Sequence, residues 1–140
     1  MITGLKPGVN EKNMTNFRSV AACFPVANVD KTLEWYEQIL GFTSYPFPAK
    51  PPYLFGILVR DTVEIMLQRV EGYEKPELYS QRNGGVWDAY IRITNIEEFY
   101  AQVKERVTVL MTLRQQPYGD WEFEIKDLNG YVLVFSELKA

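Results

Sequence analysis

Residues 22–30 read ACFPVANVD, and residues 89–97 read AYIRITNIE. At a constant offset of 67, Val26, Asn28, Val29 and Asp30 meet Ile93, Asn95, Ile96 and Glu97, and Ala22 and Phe24 meet Ala89 and Ile91. In both copies a short apolar run ends in Asn and then changes to helical spacing. Asn is a good N-cap because its side-chain oxygen accepts from a free N–H of the first turn. Behind Asn28, the residues Val29, Leu33, Tyr36 and Leu40 make one apolar stripe, and Gly41 supplies a helix C-terminus. Behind Asn95 the stripe is Ile96, Phe99, Tyr100, Val103 and Val107.

The pattern extends outward from these two points. Ahead of them, Ser19–Pro25 and Val86–Ile93 read as strands. After the first helix come Thr43–Phe47, a proline-rich loop (PFPAKPP, residues 46–52), and strands Tyr53–Arg60 and Val63–Arg69 around Asp61-Thr62. After the second come residues 109–116, a Pro117–Gly119 turn, and strands Trp121–Lys126 and Tyr131–Glu137. The last two flank Asp127-Leu128-Asn129-Gly130, where Asn-Gly is a strong hairpin signal. The hairpins repeat as well: Arg60-Asp61 meets Lys126-Asp127, and Ile65 and Leu67 meet Leu133 and Phe135. Each half reads strand–helix–strand–strand–strand, so the chain is α+β and made of two βαβββ modules. Module one is 19–70 and module two 86–137, within one domain at 19–137. A polar linker (70–85) separates them, and residues 1–18 form a flexible N-terminal extension.

The chain of 140 residues has no His and a single Cys. That removes imidazole bases, His-based triads, two-His metal motifs and internal disulfides. A metal would need carboxylate, carbonyl or water oxygens. The formal charge of −3 comes without a basic stripe, which argues against nucleic acid as a partner. No apolar run approaches a membrane span and no signal peptide precedes the pattern, so the expected setting is cytoplasmic, with no membrane partner.

Side chains of a strand alternate between the two faces of its sheet. One face collects Val20, Ala22, Phe24, Val63, Ile65, Leu67, Ala89, Ile91, Ile93, Leu133 and Phe135. It is wholly apolar, and the helices should cover it. The other collects Ala21, Cys23, Glu64, Met66, Gln68, Asp88, Tyr90, Arg92, Val132, Val134 and Ser136. Its mixture of aromatic, charged and apolar groups suits a ligand cleft.

Four stretches now resemble one known family. VANVDKTLEWYEQILGF (26–42) is similar to the opening helix of the vicinal oxygen chelate superfamily, which includes glyoxalases, dioxygenases and bleomycin-resistance proteins. FGILVRDTVEIMLQ (55–68) resembles their mid-module hairpin, DAYIRITNIEEFYAQV (88–103) the start of their second module, and PYGDWEFEIKDLNGYVLVFSE (117–137) their closing motif. The resemblance implies two βαβββ modules whose strands form a cup-shaped mixed sheet with the helices on its outer face. Enzymes of the superfamily hold a divalent metal in that cup. The four ligand positions fall here on Ala21, Met66, Asp88 and Val134, of which only Asp88 is a donor, so no metal and no cofactor is expected.

The chain most resembles the metal-free bleomycin-resistance type, whose members are dimers that sequester a cationic drug between two aromatics. Those positions match Phe55 and Tyr118; Trp121 is an extra residue in the same turn, and Glu122 matches the Glu of the family's Glu-Phe pair. The expected ligand-binding residues are Phe55, Met66, Asp88, Tyr90, Arg92, Tyr118, Trp121 and Glu122. The expected function is metal-independent binding of a small amphipathic or aromatic molecule by a homodimer, as in antibiotic resistance. The alternative is a divergent lyase, isomerase or dioxygenase that uses Asp88, Glu64 or Glu122 as base.

Overall fold

In the computed structural model, which describes residues 13–139, module one runs β1 (Ala22–Val26), α1 (Val29–Leu40), β2 (Thr43–Phe47), β3 (Phe55–Arg60) and β4 (Val63–Arg69). Module two runs β5 (Ala89–Arg92), α2 (Ile96–Val103), β6 (Thr108–Gln115), β7 (Asp120–Lys126) and β8 (Val132–Leu138). Each module has its own four-stranded mixed sheet, ordered β1-β4-β3-β2 and β5-β8-β7-β6. In each, the first strand pairs parallel with the last and the other neighbours are antiparallel. The α+β fold of two βαβββ modules is therefore as the repeat implied. Residues 1–12 of the expected N-terminal extension lie outside the described residues.

The register places the two faces as alternation predicted. Ala22 pairs with Ile65, Phe24 with Leu67, Ala89 with Leu133 and Ile91 with Phe135. Phe24, Ile65, Leu67, Ile91, Leu133 and Phe135 are buried in one apolar core that spans both modules, together with Leu33, Tyr36, Leu40 and Ile96 of the helices. Gly56 of β3 is where α1 comes closest: a Cβ there would lie 2.9 Å from a Leu33 methyl. Val20 is a correction. It precedes β1 and is 94% exposed, because the strand starts at Ala22 rather than Ser19. β3 and β5 are likewise shorter than expected, since Tyr53, Val86 and Ile93 lie outside the ladders.

The helix ends differ between the copies. Asn28 caps α1, its side chain accepting from the Lys31 N–H at 2.9 Å, and Gly41 ends it in the left-handed region at φ 72°. Asn95 sits at the same place before α2, yet it is itself left-handed (φ 55°) and its side chain makes no cap bond. Glu137 of β8 does that work, accepting from the N–H groups of Asn95 and Ile96 at 3.1 and 3.0 Å.

The modules are joined on the helix side. The Tyr36 hydroxyl donates to Asp127 at 2.6 Å, Asn129 donates to the Thr32 hydroxyl at 2.9 Å, and Tyr131 donates to the Pro25 carbonyl at 2.6 Å. The Phe24 and Tyr131 rings stack at 4.0 Å. No described helix is long and apolar enough to cross a membrane.

Candidate functional site

The face of the second sheet away from the helices carries the densest polar cluster. Tyr90 and Arg92 of β5 pair with Val134 and Ser136 of β8, and Ser136 and Val134 pair in turn with Glu122 and Glu124 of β7. Asp120, two residues before Glu122, points the same way. Glu122 and Glu124 are 1% and 2% exposed. Tyr90 sits at the centre. Its hydroxyl makes a short hydrogen bond to Glu122 and lies 2.9 Å from Ser136 Oγ and 3.1 Å from Asp120 Oδ2. The Tyr118 hydroxyl, from the β6–β7 turn, donates to Glu122 with both carboxylate oxygens at 2.8 Å.

The linker closes the other end. Within it Tyr79–Gln81 form one 3-10 turn, and the Tyr79 hydroxyl donates to Glu124 at 2.6 Å. Trp87 is a further neighbour of Glu124, and its ring lies 5.7 Å from that of Tyr90.

Charge is distributed unevenly over this face. Arg92 pairs with Asp120 at 3.0 Å and lies over the Tyr90 ring at 5.3 Å, so its charge is balanced. Glu122 and Glu124 have no ion-pair partner among the described residues. Arg114 stands opposite Glu122 in the ladder, but its guanidinium turns to the Thr112 hydroxyl. Burial raises the Glu124 carboxyl above its ordinary value, and the Tyr79 hydrogen bond offsets only part of the shift. Asp120 is held below its ordinary value by the Ser136 hydroxyl and then by Arg92. Burial and the neighbouring carboxylates push Tyr79 and Tyr90 up to about 12, and Tyr118 upward as well. The phenols are therefore neutral donors at any ordinary pH.

The corresponding face of the first sheet is mostly apolar, with Gln68 opposite Phe55 and Glu64 opposite Val59. Phe55 and Ile57 of β3 stand beside Met66 of β4, Cys23 of β1 and Tyr45 and Phe47 of β2. Tyr45 and Phe47 are 57% and 62% exposed, and Phe55, Ile57 and Met66 are half-buried.

The expected site residues thus fall into separate groups. Tyr90, Arg92, Tyr118 and Glu122 form one cluster, while Phe55 and Met66 share the open face of the other sheet. Asp88 lies outside that cluster, bound by the Lys75 ammonium at 2.9 Å and the Val132 N–H at 2.8 Å, near Asp127 and Tyr131. Trp121 lies on the helix side of its sheet, packed against the core with the Lys139 ammonium 5.6 Å from its ring. Sequence reading missed Asp120, Glu124, Tyr79 and Trp87. The alternation Asp120–Glu122–Glu124 was the available signal for the acids; nothing local marked Tyr79.

The positions that hold metal in enzymes of this fold do not suit one here. Val134 is fully buried and apolar, Ala21 and Met66 offer no oxygen, and Asp88 is held by Lys75. Among the described residues no group of three or more His, Cys, Asp or Glu is arranged to hold a metal ion.

Two βαβββ modules with these strand orders define the glyoxalase/bleomycin resistance protein/dioxygenase fold, and the chain has that fold. Three solved structures share it at low identity. TioX from Micromonospora sp. ML1 is 17% identical with a TM-score of 0.67, covering 86% of this chain and 100% of its own. A glyoxalase-related enzyme from Clostridium phytofermentans is 18% identical with a TM-score of 0.70, covering 91% and 99%. The bleomycin-binding protein of Streptomyces verticillus, solved with copper(II)-bleomycin, is 18% identical with a TM-score of 0.62, covering 87% and 97%. No family model and no curated protein sequence matches the chain.

Proposed function

We propose that the protein is a metal-independent small-molecule binding protein of the vicinal oxygen chelate superfamily. It takes a cationic aromatic or amphipathic ligand into a cleft between two copies of the chain. The observation that carries this reading is the pair of buried carboxylates, Glu122 and Glu124, bonded to phenols and without an ion-pair partner among the described residues. A buried carboxylate without a counter-charge is costly, and a ligand cation would offset that cost. The rings of Tyr79, Trp87, Tyr90 and Tyr118 add faces for a cation or a flat ring system.

The open aromatic face of the first sheet supports the dimer. Phe55 and Met66 would stack on the ligand from the partner copy, so each cleft draws on both chains. The bleomycin-binding protein among the structural neighbours gives the choice of first probe.

The test is a titration of the protein with a bleomycin-type drug, followed by tryptophan fluorescence with excess chelator present. The expected result is saturable quenching at one drug per chain, indifferent to chelator. Glu122→Gln and the pair Phe55→Ala, Tyr118→Ala should each weaken binding at least ~10-fold with the fold intact, the size expected for a lost charge-assisted contact. Normal binding by both variants would remove the proposed site. A requirement for added metal would remove the metal-independent reading.

A further inference from the structure

A second cavity lies outside the face described above. It is a groove of about 650 Å³ between the modules, where the β3–β4 turn approaches β5 and α2. That volume falls within the ~300–1,000 Å³ of ordinary ligand pockets. Its floor is the edge of the shared core: Phe42, Ile91, Phe99 and Phe135. One guanidinium group stands on its wall, that of Arg60; Arg92 also lines the groove, but its guanidinium lies on the polar face with Asp120 and Tyr90.

Arg60 is held in place by the protein and keeps donors free. Arg60 donates one N–H to the Leu40 carbonyl at 2.7 Å, and its guanidinium lies over the Phe99 ring at 5.3 Å. Its side chain remains 45% exposed. A guanidinium fixed on one edge loses little freedom when its other edge binds, and its fork matches a carboxylate. The acids on the rim do not occupy that fork. Asp61 is exposed and only reaches Arg60 Nε at 4.0 Å, and Glu98 is exposed on α2.

We propose that this groove is a second binding site, for a small amphipathic carboxylate whose ring rests on the Phe42–Phe99 floor and whose carboxylate meets Arg60. Its ligand is opposite in charge to that of the polar face of the second sheet.

The test is isothermal titration of the full chain with 2-naphthoate and, separately, with the neutral 2-naphthamide. One naphthoate should bind per chain, and the amide should bind at least ~10-fold more weakly, since a charge-assisted contact is lost. Arg60→Gln should reduce naphthoate affinity by a similar factor. Because Arg60 also braces the end of α1, Gln102→Trp serves as a second variant: Gln102 is exposed on α2 and lines the groove, and the indole should fill it and block binding. Glu122→Gln should leave naphthoate binding unchanged. Equal affinity for acid and amide, no binding at millimolar naphthoate, or loss of binding in Glu122→Gln but not in Gln102→Trp would each overturn the proposal.

Discussion

Glu124 shows how much a single residue of the polar face is asked to bear. It is buried, it has a phenol and an indole for company, and its carboxyl is raised above an ordinary value of 4.5. A raised carboxyl favours the folded state while protonated, and that contribution is lost as pH rises through the folded value. The charged form at neutral pH is therefore a liability to stability. Glu124→Gln removes that charge and keeps an oxygen for Tyr79. The variant should melt higher than the parent at pH 7, and the difference should close as pH falls below the folded value, as read from melting curves across pH. The same variant should bind a cationic ligand less tightly, the usual exchange between stability and function at a site. At this scale the sequence showed part of the cluster. Tyr90 followed from strand alternation and Glu122 from the family resemblance, and alternation along β7 would have added Glu124. Tyr79 was not legible, because a linker residue meets a strand 45 positions away only once the chain has folded.

Among the elements, the two helices make the sharpest comparison. Both begin after an Asn in a repeated motif, yet only Asn28 caps. The cap of α2 comes from Glu137, at the far end of the same module. Local sequence specifies a cap where the Asn stays extended, as at φ −133° for Asn28, and not where it turns left-handed, as at Asn95. Glu137→Ala should therefore destabilise the protein by ~1 kcal/mol, the usual cost of losing a cap. Hydrogen exchange should locate the effect at the Asn95 and Ile96 amides. Asn95→Ala should leave those amides protected, since its side chain makes no cap bond. The strands were read well wherever turn signals bounded them, as in β2 and β4. They were read too long where an apolar run continued past the last ladder bond, as at Val20 and Val86.

At the scale of the whole molecule, the first sheet leaves a mostly apolar surface uncovered among the described residues, around Tyr45, Phe47, Phe55 and Met66. If two copies share the ligand cleft, that surface is their contact. Sedimentation equilibrium should then show a dimer at micromolar concentration, and Phe47→Asp should shift it toward monomer while preserving the circular dichroism of the fold. A wild-type chain that stays monomeric would leave each half-site alone. The duplication, and with it the architecture, was plain in the sequence. How the two halves meet was not, because Tyr36, Asp127 and Tyr131 each read as ordinary members of a stripe or turn. Tyr36→Phe should cost about 1–3 kcal/mol in denaturant unfolding, since it takes a hydrogen bond from a buried carboxylate.

The Tyr36–Asp127 bond spans 91 positions of the chain. Contacts of that reach close late in folding, after the entropy of a long loop has been lost. The first helix cannot complete its surroundings until the last hairpin has been made. Fragments 19–70 and 86–137, produced separately, should each remain largely unstructured and gain secondary structure when mixed. That result would make the two repeated modules halves of a single cooperative unit.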